Sequence, residues 1–223
     1  MEGMANKTAL VIGATGLVGE ETLRQLLQSA YYDKVIALTR RPLNIKDPKL
    51  ENPVVDFDKP EQYSQIKADH VYNAMGTTIA KAGSQAAFKK ADLDIPLQIA
   101  ELALKNGATK FMSVSSMGAD AKSLVFYSRT KGELEQALMQ MKYKAVLIFR
   151  PSILLGDRKE NRTGEAVGRY MAEMLSFIFA GPLRKYKGTP ATVLAKAMMT
   201  AANNDTTGTH IIENEQIFEI AEK

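Results

Sequence analysis

The sequence LVIGATGLVGE spans Leu10–Glu20. An apolar run enters three glycines, Gly13, Gly16 and Gly19, and a helical sequence follows them directly. This order predicts a strand, a tight turn and a helix, the first unit of an α/β sheet. At such a turn, glycines let backbone N–H groups approach a pyrophosphate, and the helix N-terminus adds its positive end. Close packing of a helix on a plain turn explains the same glycines, so this stretch alone leaves both interpretations open.

Short apolar runs alternate with longer helical segments as far as residue 152. The runs are nearly continuous in apolar residues, as strands covered by helices on both faces require. We therefore predict an α/β fold with a doubly wound parallel sheet, the Rossmann fold, whose ligand crevice lies outside the carboxyl ends of the strands. We expect a single domain over residues 1–223, in which residues 152–223 contribute a small substrate-side cap. The predicted strands are 8–13, 34–39, 53–57, 69–76, 110–116 and 144–152, and the helices after the first are 85–107 and 126–141.

The composition excludes several classes of site. None of the 223 residues is a cysteine, which removes disulfides, thiolate nucleophiles and cysteine-based zinc sites. The two histidines, His70 and His210, stand in no ligand-like cluster, so we predict no metal. The net charge is +4 and the basic clusters are short, which disfavours nucleic acid as a partner. The sequence shows no signal peptide and no run of about 18 apolar residues, so we predict no membrane segment, a cytoplasmic location, and a monomer or homodimer with a small-molecule substrate.

The end of the second predicted strand indicates which dinucleotide binds. Thr39 is followed by Arg40 and Arg41, and no carboxylate stands where an NAD site commonly places one against the ribose 2′-hydroxyl. Two guanidinium groups suit a 2′-phosphate, which they bind in forked geometry. We therefore predict NADP(H) as the preferred cofactor, with NAD(H) as the second choice. Two ordinary surface arginines are the alternative interpretation.

Two further strand ends extend the cofactor site. Asp56 and Phe57 close the third predicted strand, where they are placed to meet the adenine. The small residues of NAMGTT after the fourth strand let the backbone pass close to the cofactor ribose. The residues that we expect to contact the cofactor in this part of the chain are Gly13, Thr15, Gly16, Leu17, Val18, Gly19, Thr39, Arg40, Arg41, Asp56, Phe57, Ala74, Met75 and Gly76.

A tyrosine and a lysine four residues apart, Tyr127 and Lys131 in YSRTK, project from one face of the predicted helix 126–141. A free phenol titrates at about pH 10, and a nearby ammonium group favours its ionised form. Such a pair can exchange a proton with a substrate oxygen while a nicotinamide carries hydride. Tyr63 and Lys67 share the spacing but precede the fourth strand, and we assign them to a solvated helix away from the crevice. An amphipathic surface pair is the alternative for Tyr127 and Lys131.

Five motifs in order, GATGLVG, NAMGTT, SVSSMGAD, YSRTKGELE and FRPSILLGDR, resemble those of the atypical short-chain dehydrogenase/reductases. Within that group the chain is similar to the NAD(P)H-binding branch related to the Tat-interacting oxidoreductase-like proteins. The resemblance covers roughly Thr8–Asn203. It implies a Rossmann fold, a bound NADP(H) and a Ser-Tyr-Lys active site.

The resemblance also implies a role for individual residues. Tyr127 and Lys131 correspond to the tyrosine and lysine of the active site, and the lysine also holds the nicotinamide ribose. Ser116 fits the serine best, and Ser115 is the next choice. The backbone of the RPS segment is implied to pass near the nicotinamide, at Pro151, Ser152 and Ile153.

These observations favour an NADP(H)-binding oxidoreductase that transfers hydride to or from a small carbonyl or alcohol substrate. A protein that binds NADP(H) as a sensor or scaffold without turnover is the alternative. A sugar-nucleotide epimerase or dehydratase is the third hypothesis. The extended relatives that carry out those reactions have a much larger C-terminal substrate domain, whereas about seventy residues follow Ser152.

Overall fold

Parallel strands form the centre of the molecule, a sheet of seven with helices on both faces. The computed structural model describes residues 7–156 and 187–223, and every element below belongs to that part of the chain. The strands of the sheet are β1 (Lys7–Ile12), β2 (Tyr32–Leu38), β3 (Leu50–Glu51), β4 (His70–Asn73), β5 (Lys110–Val114), β6 (Ala145–Arg150) and β9 (Gly208–Glu213). Two more strands, β7 (Leu154–Leu155) and β8 (Thr189–Pro190), pair with each other in parallel.

The strand order is β3-β2-β1-β4-β5-β6-β9, so the chain winds outward from β1 first in one direction and then in the other. The switch between β1 and β4 is the point where doubly wound sheets bind their ligands. The helices are α1 (Leu17–Gln28), α2 (Ile79–Ala82), α3 (Gln85–Lys89), α4 (Ile95–Lys105), α5 (Phe126–Met139), α6 (Ala191–Asn203) and α7 (Asn214–Ala221). The predicted fold class is confirmed.

Apolar residues on both faces of the sheet explain the continuous runs in the sequence. Along β1, Ala9 and Val11 join a core beneath α1 and α6, whereas Leu10 and Ile12 join a core beneath α4 and α5. All four side chains are at most 2% exposed. Because successive residues of a strand point to opposite faces, a strand buried on both sides needs apolar residues at every position.

The described C-terminal residues differ from the cap that we predicted over 152–223. β9 pairs with β6 and adds a seventh strand to the sheet, and α6 packs against α1 in the helix layer. The sequence of β9, GTHIIE, escaped prediction because this strand lies at the sheet edge, where Ile212 is its one buried residue. Residues 157–186 of the predicted cap lie outside the described residues.

Two predicted elements are interrupted for identifiable reasons. The strand expected over 53–57 does not form: β3 ends before it at Glu51, and only an isolated bridge between Thr39 and Val54 lies within the predicted range. Pro53 has no N–H to donate to a neighbouring strand. The Asn52 side chain donates to the Ala37 carbonyl oxygen at 2.7 Å, and this bond replaces the backbone hydrogen bond that a strand would make there.

The helix expected over 85–107 is likewise broken. A π-helical turn, Lys90–Asp94, separates α3 from α4. Pro96 stands in the first turn of α4. Because proline cannot donate the i→i−4 hydrogen bond, the helix widens just before it. The break places Asp92 in the irregular turn.

Candidate functional site

The glycine turn after β1 is a contact between three pieces of backbone. Gly13 has φ +82°, and a Cβ on it would lie 2.5 Å from the Ala74 carbonyl group at the end of β4. A Cβ on Gly19 would lie 2.0 Å from the Gly13 carbonyl oxygen. β1, the end of β4 and α1 therefore meet without side chains between them. The packing interpretation of these two glycines is correct, and the contact fixes where α1 begins.

The first turn of α1 has no side-chain cap. Gly16 is its N-cap and supplies no side-chain hydrogen bond to the first turn. The N–H groups of Leu17, Val18 and Gly19 therefore lack a capping side chain, the arrangement that suits a phosphate. Thr15 and Gly16 are exposed at this point, whereas the Val18 side chain is buried in the core. Any contact from Val18 or Gly19 to a ligand would be through the backbone.

The loop after β2 is fixed by hydrogen bonds that do not involve the side chains of its two arginines. The hydroxyl of Thr39 donates to the Arg41 carbonyl oxygen at 2.7 Å and accepts a hydrogen bond from Asn52 Nδ2 at 2.8 Å. Arg40 and Arg41 are exposed. Within residues 7–156 and 187–223, no carboxylate lies in ion-pair distance of either guanidinium.

Asp56 and Phe57 occupy different environments at the position expected for the adenine. Asp56 is exposed, and its carboxylate accepts a hydrogen bond from the Asp58 backbone N–H. The Phe57 ring is 9% exposed and packs edge-on against Tyr63 at 5.9 Å between ring centroids. A cleft of about 410 Å³ opens beside it, lined by Phe57, Asp58, Ala86, Lys90, Asp94, Ile95 and Gln98.

Tyr63 itself corrects a prediction. It lies in a turn after a short 3₁₀ segment, Pro60–Gln62, and not on a solvated helix. It is 3% exposed, and its hydroxyl donates to the Phe57 carbonyl oxygen at 3.0 Å. Burial raises the pKa of this phenol above its ordinary value, with Asp58 and Glu61 adding to the effect. Tyr63 is therefore a structural residue, in agreement with its exclusion from the catalytic pair.

The loop after β4 is shaped by a buried asparagine. Asn73 donates to Ser113 Oγ at 3.0 Å and accepts a hydrogen bond from the Met75 backbone N–H at 3.0 Å. Ala74 and Met75 are half-buried and Gly76 is exposed. A Cβ on Gly76 would be 4.0 Å from Lys131 Nζ, so this loop faces the lysine on α5.

Tyr127 and Lys131 lie one turn apart on α5, as predicted, and a third residue joins them. Lys131 Nζ is 2.7 Å from Asp92 Oδ1, and the side chains of Lys131 and Asp92 are 4% and 0% exposed. Burial alone would lower the pKa of Lys131, but the negative charges of Asp92, Tyr127 in its ionised form and Glu135 outweigh it and raise that pKa. The Tyr127 ring is half-buried and packs against Phe88, 5.6 Å between centroids. The lysine is therefore held as an ammonium ion inside the protein.

Ser115 and Ser116 follow β5 and point in different directions. Ser115 Oγ donates to Glu135 Oε1 at 2.5 Å, and Glu135 also receives two hydrogen bonds from Arg150. Ser116 is 5% exposed, and its Oγ has no hydrogen-bond partner among the described residues. Because side chains alternate along extended backbone, one serine is tied into the Glu135–Arg150 pair and the other is not.

Two buried side-chain atoms in the described part of the chain lack a hydrogen-bond partner, Ser116 Oγ and Asp92 Oδ1. The second is in ionic contact with Lys131, but the approach is not that of a hydrogen bond. Buried polar atoms in proteins are nearly always paired, so each exception needs an explanation. Both exceptions lie on segments that follow or flank the carboxyl edge of the sheet, where ligands of this architecture bind.

The RPS segment after β6 is held by buried polar contacts. The Ser152 backbone N–H donates to Thr189 Oγ1 and Asn214 Oδ1, and its hydroxyl donates to the Lys187 carbonyl oxygen at 2.6 Å. Pro151 is buried and Ile153 is half-buried. The backbone N–H and the hydroxyl of Ser152 thus both form hydrogen bonds within the protein.

Sequence reasoning missed three residues of this region. Asp92 carried no signal that separated it from Asp94 in the same segment. Glu135 continues the i, i+4 face of Tyr127 and Lys131, and that spacing was a usable signal. Gly132 lets α5 touch the loop before it, since a Cβ there would lie 2.1 Å from the Ala121 backbone nitrogen.

Two other kinds of site are absent from the described residues. The described residues contain no group of three or more histidine, aspartate or glutamate side chains arranged to hold a metal ion. None of the helices within residues 7–156 and 187–223 has the length and apolar character to cross a membrane.

Curated relatives match most of the chain. The Protein HTATIP2 of Rattus norvegicus is 32% identical over 223 residues, covering 97% of this chain and 90% of its own. The Protein FMP52-1, mitochondrial, of Scheffersomyces stipitis is 32% identical over 203 residues, covering 87% and 83%.

Solved structures match in fold. The human epimerase family protein SDR39U1 with NADPH has a TM-score of 0.64 at 17% identity and covers 93% of this chain and 73% of that one. MoeE5 in complex with UDP-glucose and NAD has a TM-score of 0.66 at 16% identity and covers 96% and 81%. The family described as NAD dependent epimerase/dehydratase matches residues 9–190. The chain belongs to the NAD-dependent epimerase/dehydratase family.

Proposed function

We propose that this protein binds NADP(H) and transfers hydride to or from a small carbonyl or alcohol substrate, with Ser116, Tyr127 and Lys131 as its active site. The observation that carries the proposal is the buried Ser116 Oγ, which has no hydrogen-bond partner among the described residues, together with the buried Lys131 ammonium group on the helix of Tyr127. Substrate and cofactor hydroxyls are the groups that such atoms would bind. A sensor or scaffold without turnover has no need of the unpaired serine.

The cofactor residues follow from the geometry of the carboxyl edge. The open N–H groups at the start of α1 suit the pyrophosphate, and Arg40 and Arg41 suit the 2′-phosphate. The cleft beside Phe57 suits the adenine, and Gly76 gives the ribose access to Lys131. Among the described residues no carboxylate lies in ion-pair distance of either arginine, which supports a phosphorylated dinucleotide.

The chemistry is a proton transfer at Tyr127 that accompanies hydride transfer. When bound, NADP(H) supplies or accepts the hydride. The Tyr127 hydroxyl gives a proton to the substrate oxygen in reduction and takes it back in oxidation. Ser116 Oγ donates a hydrogen bond to the same oxygen and orients it, and the Lys131 ammonium stabilises negative charge on the phenol oxygen. Pro151 and Ile153 line the nicotinamide end.

Binding and turnover can be tested separately. Titration of the purified protein by cofactor fluorescence should give tighter binding of NADPH than of NADH. Arg40→Ala/Arg41→Ala should weaken NADPH roughly ten- to hundredfold, the loss of a charge-assisted hydrogen bond or two, and leave NADH unchanged. Equal losses for both cofactors would remove the 2′-phosphate assignment.

Turnover should be screened with a panel of carbonyl compounds. Tyr127→Phe should lower kcat roughly 10²–10⁴-fold, whereas Tyr63→Phe, the same motif elsewhere, should keep it. Ser116→Ala should lower turnover, whereas Ser115→Ala should lower stability, because Glu135 loses a partner. Unchanged turnover in Tyr127→Phe would end the acid–base proposal.

The third hypothesis keeps one supporting observation. The family is that of NAD-dependent epimerases and dehydratases, and MoeE5 was solved with UDP-glucose. A UDP-sugar panel therefore belongs in the same screen, and conversion of a UDP-sugar with no net loss of cofactor would favour an epimerase. A cytoplasmic location remains a prediction. The name of the S. stipitis relative includes the word mitochondrial, so fractionation of cells that produce the protein should compare both compartments.

A further inference from the structure

The Asp92–Lys131 pair is the most deeply buried ion pair in the part of the chain that the structure describes. Its side chains are 0% and 4% exposed, compared with 33% for Glu133 and 46% for Lys89, which also form an ion pair between the α3 region and α5. Burying two charges removes them from water at a high free-energy cost, and apolar residues of the same size are often as stable or more stable. Stability therefore does not explain why this pair is inside the protein.

Asp92 connects two walls of the crevice. It lies in the π-helical turn Lys90–Asp94, where the wider backbone turns its side chain inward. Its Oδ2 accepts a hydrogen bond from the Thr77 backbone N–H at 2.9 Å, in the loop after β4. Its Oδ1 meets Lys131 Nζ on α5 at 2.7 Å. Single π-helical turns inside helices are frequent at functional sites.

The ammonium group retains capacity to bind a ligand. A lysine ammonium has three N–H donors, and Asp92 accounts for one direction of approach. A Cβ on Gly76 would be 3.9 Å from Asp92 Oδ1 and 4.0 Å from Lys131 Nζ, so the loop after β4 lies against both charged groups with no side chain of residue 76 between them.

We propose that Asp92 is a positioning residue, which holds the Lys131 ammonium against the Gly76–Thr77 loop so that it meets the nicotinamide ribose hydroxyls. The inference rests on the proposed function, since it needs a bound dinucleotide. Asp92 acts here through Lys131 and not on the reacting atoms. Asparagine at this position keeps the shape and can still accept the Thr77 hydrogen bond, so Asp92→Asn removes the charge alone.

The test is a double-mutant cycle on NADPH affinity and on thermal unfolding without cofactor. Asp92→Asn and Lys131→Met should each weaken NADPH roughly ten- to hundredfold, the worth of a hydrogen bond from a charged group. The double variant should bind no more weakly than Lys131→Met and should unfold at a higher temperature than Asp92→Asn. Glu133→Gln, which breaks the exposed pair between the same segments, should leave the affinity unchanged.

Three other results would overturn the positioning role of Asp92 or the proposed function. Wild-type affinity in a folded Asp92→Asn, or losses that multiply in the double variant, would overturn the positioning role. If Asp92→Asn does not fold, the comparison of Lys131→Met with the double variant still decides, because a further loss in the double variant would show that Asp92 acts independently of Lys131. Failure of the wild type to bind either dinucleotide would instead overturn the proposed function, and this inference with it.

Discussion

Acid should destabilise this protein through His70, the buried one of its two histidines. His70 is 2% exposed, and its Nδ1 lies 2.6 Å from the Tyr32 hydroxyl, which in turn lies 2.7 Å from the Tyr72 hydroxyl. Burial chiefly, and then the positive charges of Lys7 and Lys110, lower the pKa of His70 to about 3. The folded protein therefore keeps this imidazole neutral at every pH at which proteins are normally handled.

Acid lowers the free energy of unfolding because the unfolded chain binds more protons than the folded one. The unfolded chain takes up a proton on this histidine below its ordinary pKa of about 6.5, whereas the folded chain does not until about pH 3. Within that window the unfolded state binds more protons, so the free energy of unfolding falls as the pH falls. The two pKa values give a loss of about 2 kcal/mol between pH 7 and pH 5, and of about 4 kcal/mol between pH 7 and pH 3.

Urea unfolding at pH 7, 6 and 5 measures this loss. His70→Asn keeps a polar atom near the Nδ1 position and removes the titration, so its unfolding free energy should change little between pH 7 and pH 5. His210→Asn is the control, because His210 is exposed on β9 and should leave the wild-type dependence intact. A His70→Asn variant that loses about as much stability as the wild type over this range would show that His70 is not the group whose protonation destabilises the fold.

Two further changes test the packing around the site. Gly132→Ala gains about 1 kcal/mol in helix propensity, but its Cβ would lie 2.1 Å from the Ala121 backbone nitrogen. Because overpacking costs about 1–3 kcal/mol or more, we expect a net loss of stability, seen as a lower Tm in scanning calorimetry. An equal or higher Tm would contradict the close contact of α5 with its preceding loop. Arg150→Met leaves the Glu135 carboxylate, whose side chain is 4% exposed, without its ion-pair partner. The free energy of unfolding, measured in urea, should fall by about 3–5 kcal/mol. Adding Glu135→Leu should recover most of that loss, and no recovery would show that Arg150 stabilises through its other contacts.

The parts of the fold that the sequence predicted well are those in which local chemistry and burial agree. The run from Leu10 into Gly13 is both apolar and glycine-bounded, and it forms β1 and the turn as expected. Tyr127 and Lys131 were predicted as a pair on one helix face because helical spacing is fixed by geometry, and they lie on α5. Both features depend on residues that are neighbours in the chain.

The misses depend on contacts between distant residues. β9 is identified by pairing with β6, and its own side chains are mostly exposed, so its sequence has no strand-like apolar run. Asp92 differs from Asp94 only through the π-helical turn that Pro96 induces, and no local pattern indicates which of the two points inward. Ser115 and Ser116 were separable only after Glu135 was located opposite one of them.

The pairing of β7 with β8 brings two parts of the chain that are 35 positions apart side by side. Leu154 lies beside Thr189, and Ser152 donates to the carbonyl oxygen of Lys187, 35 positions along the chain. Doubling the number of residues between two such paired segments costs only about 0.6 kcal/mol in closure entropy. The pairing therefore tolerates, at a small entropic cost, a change in the number of residues between its two strands.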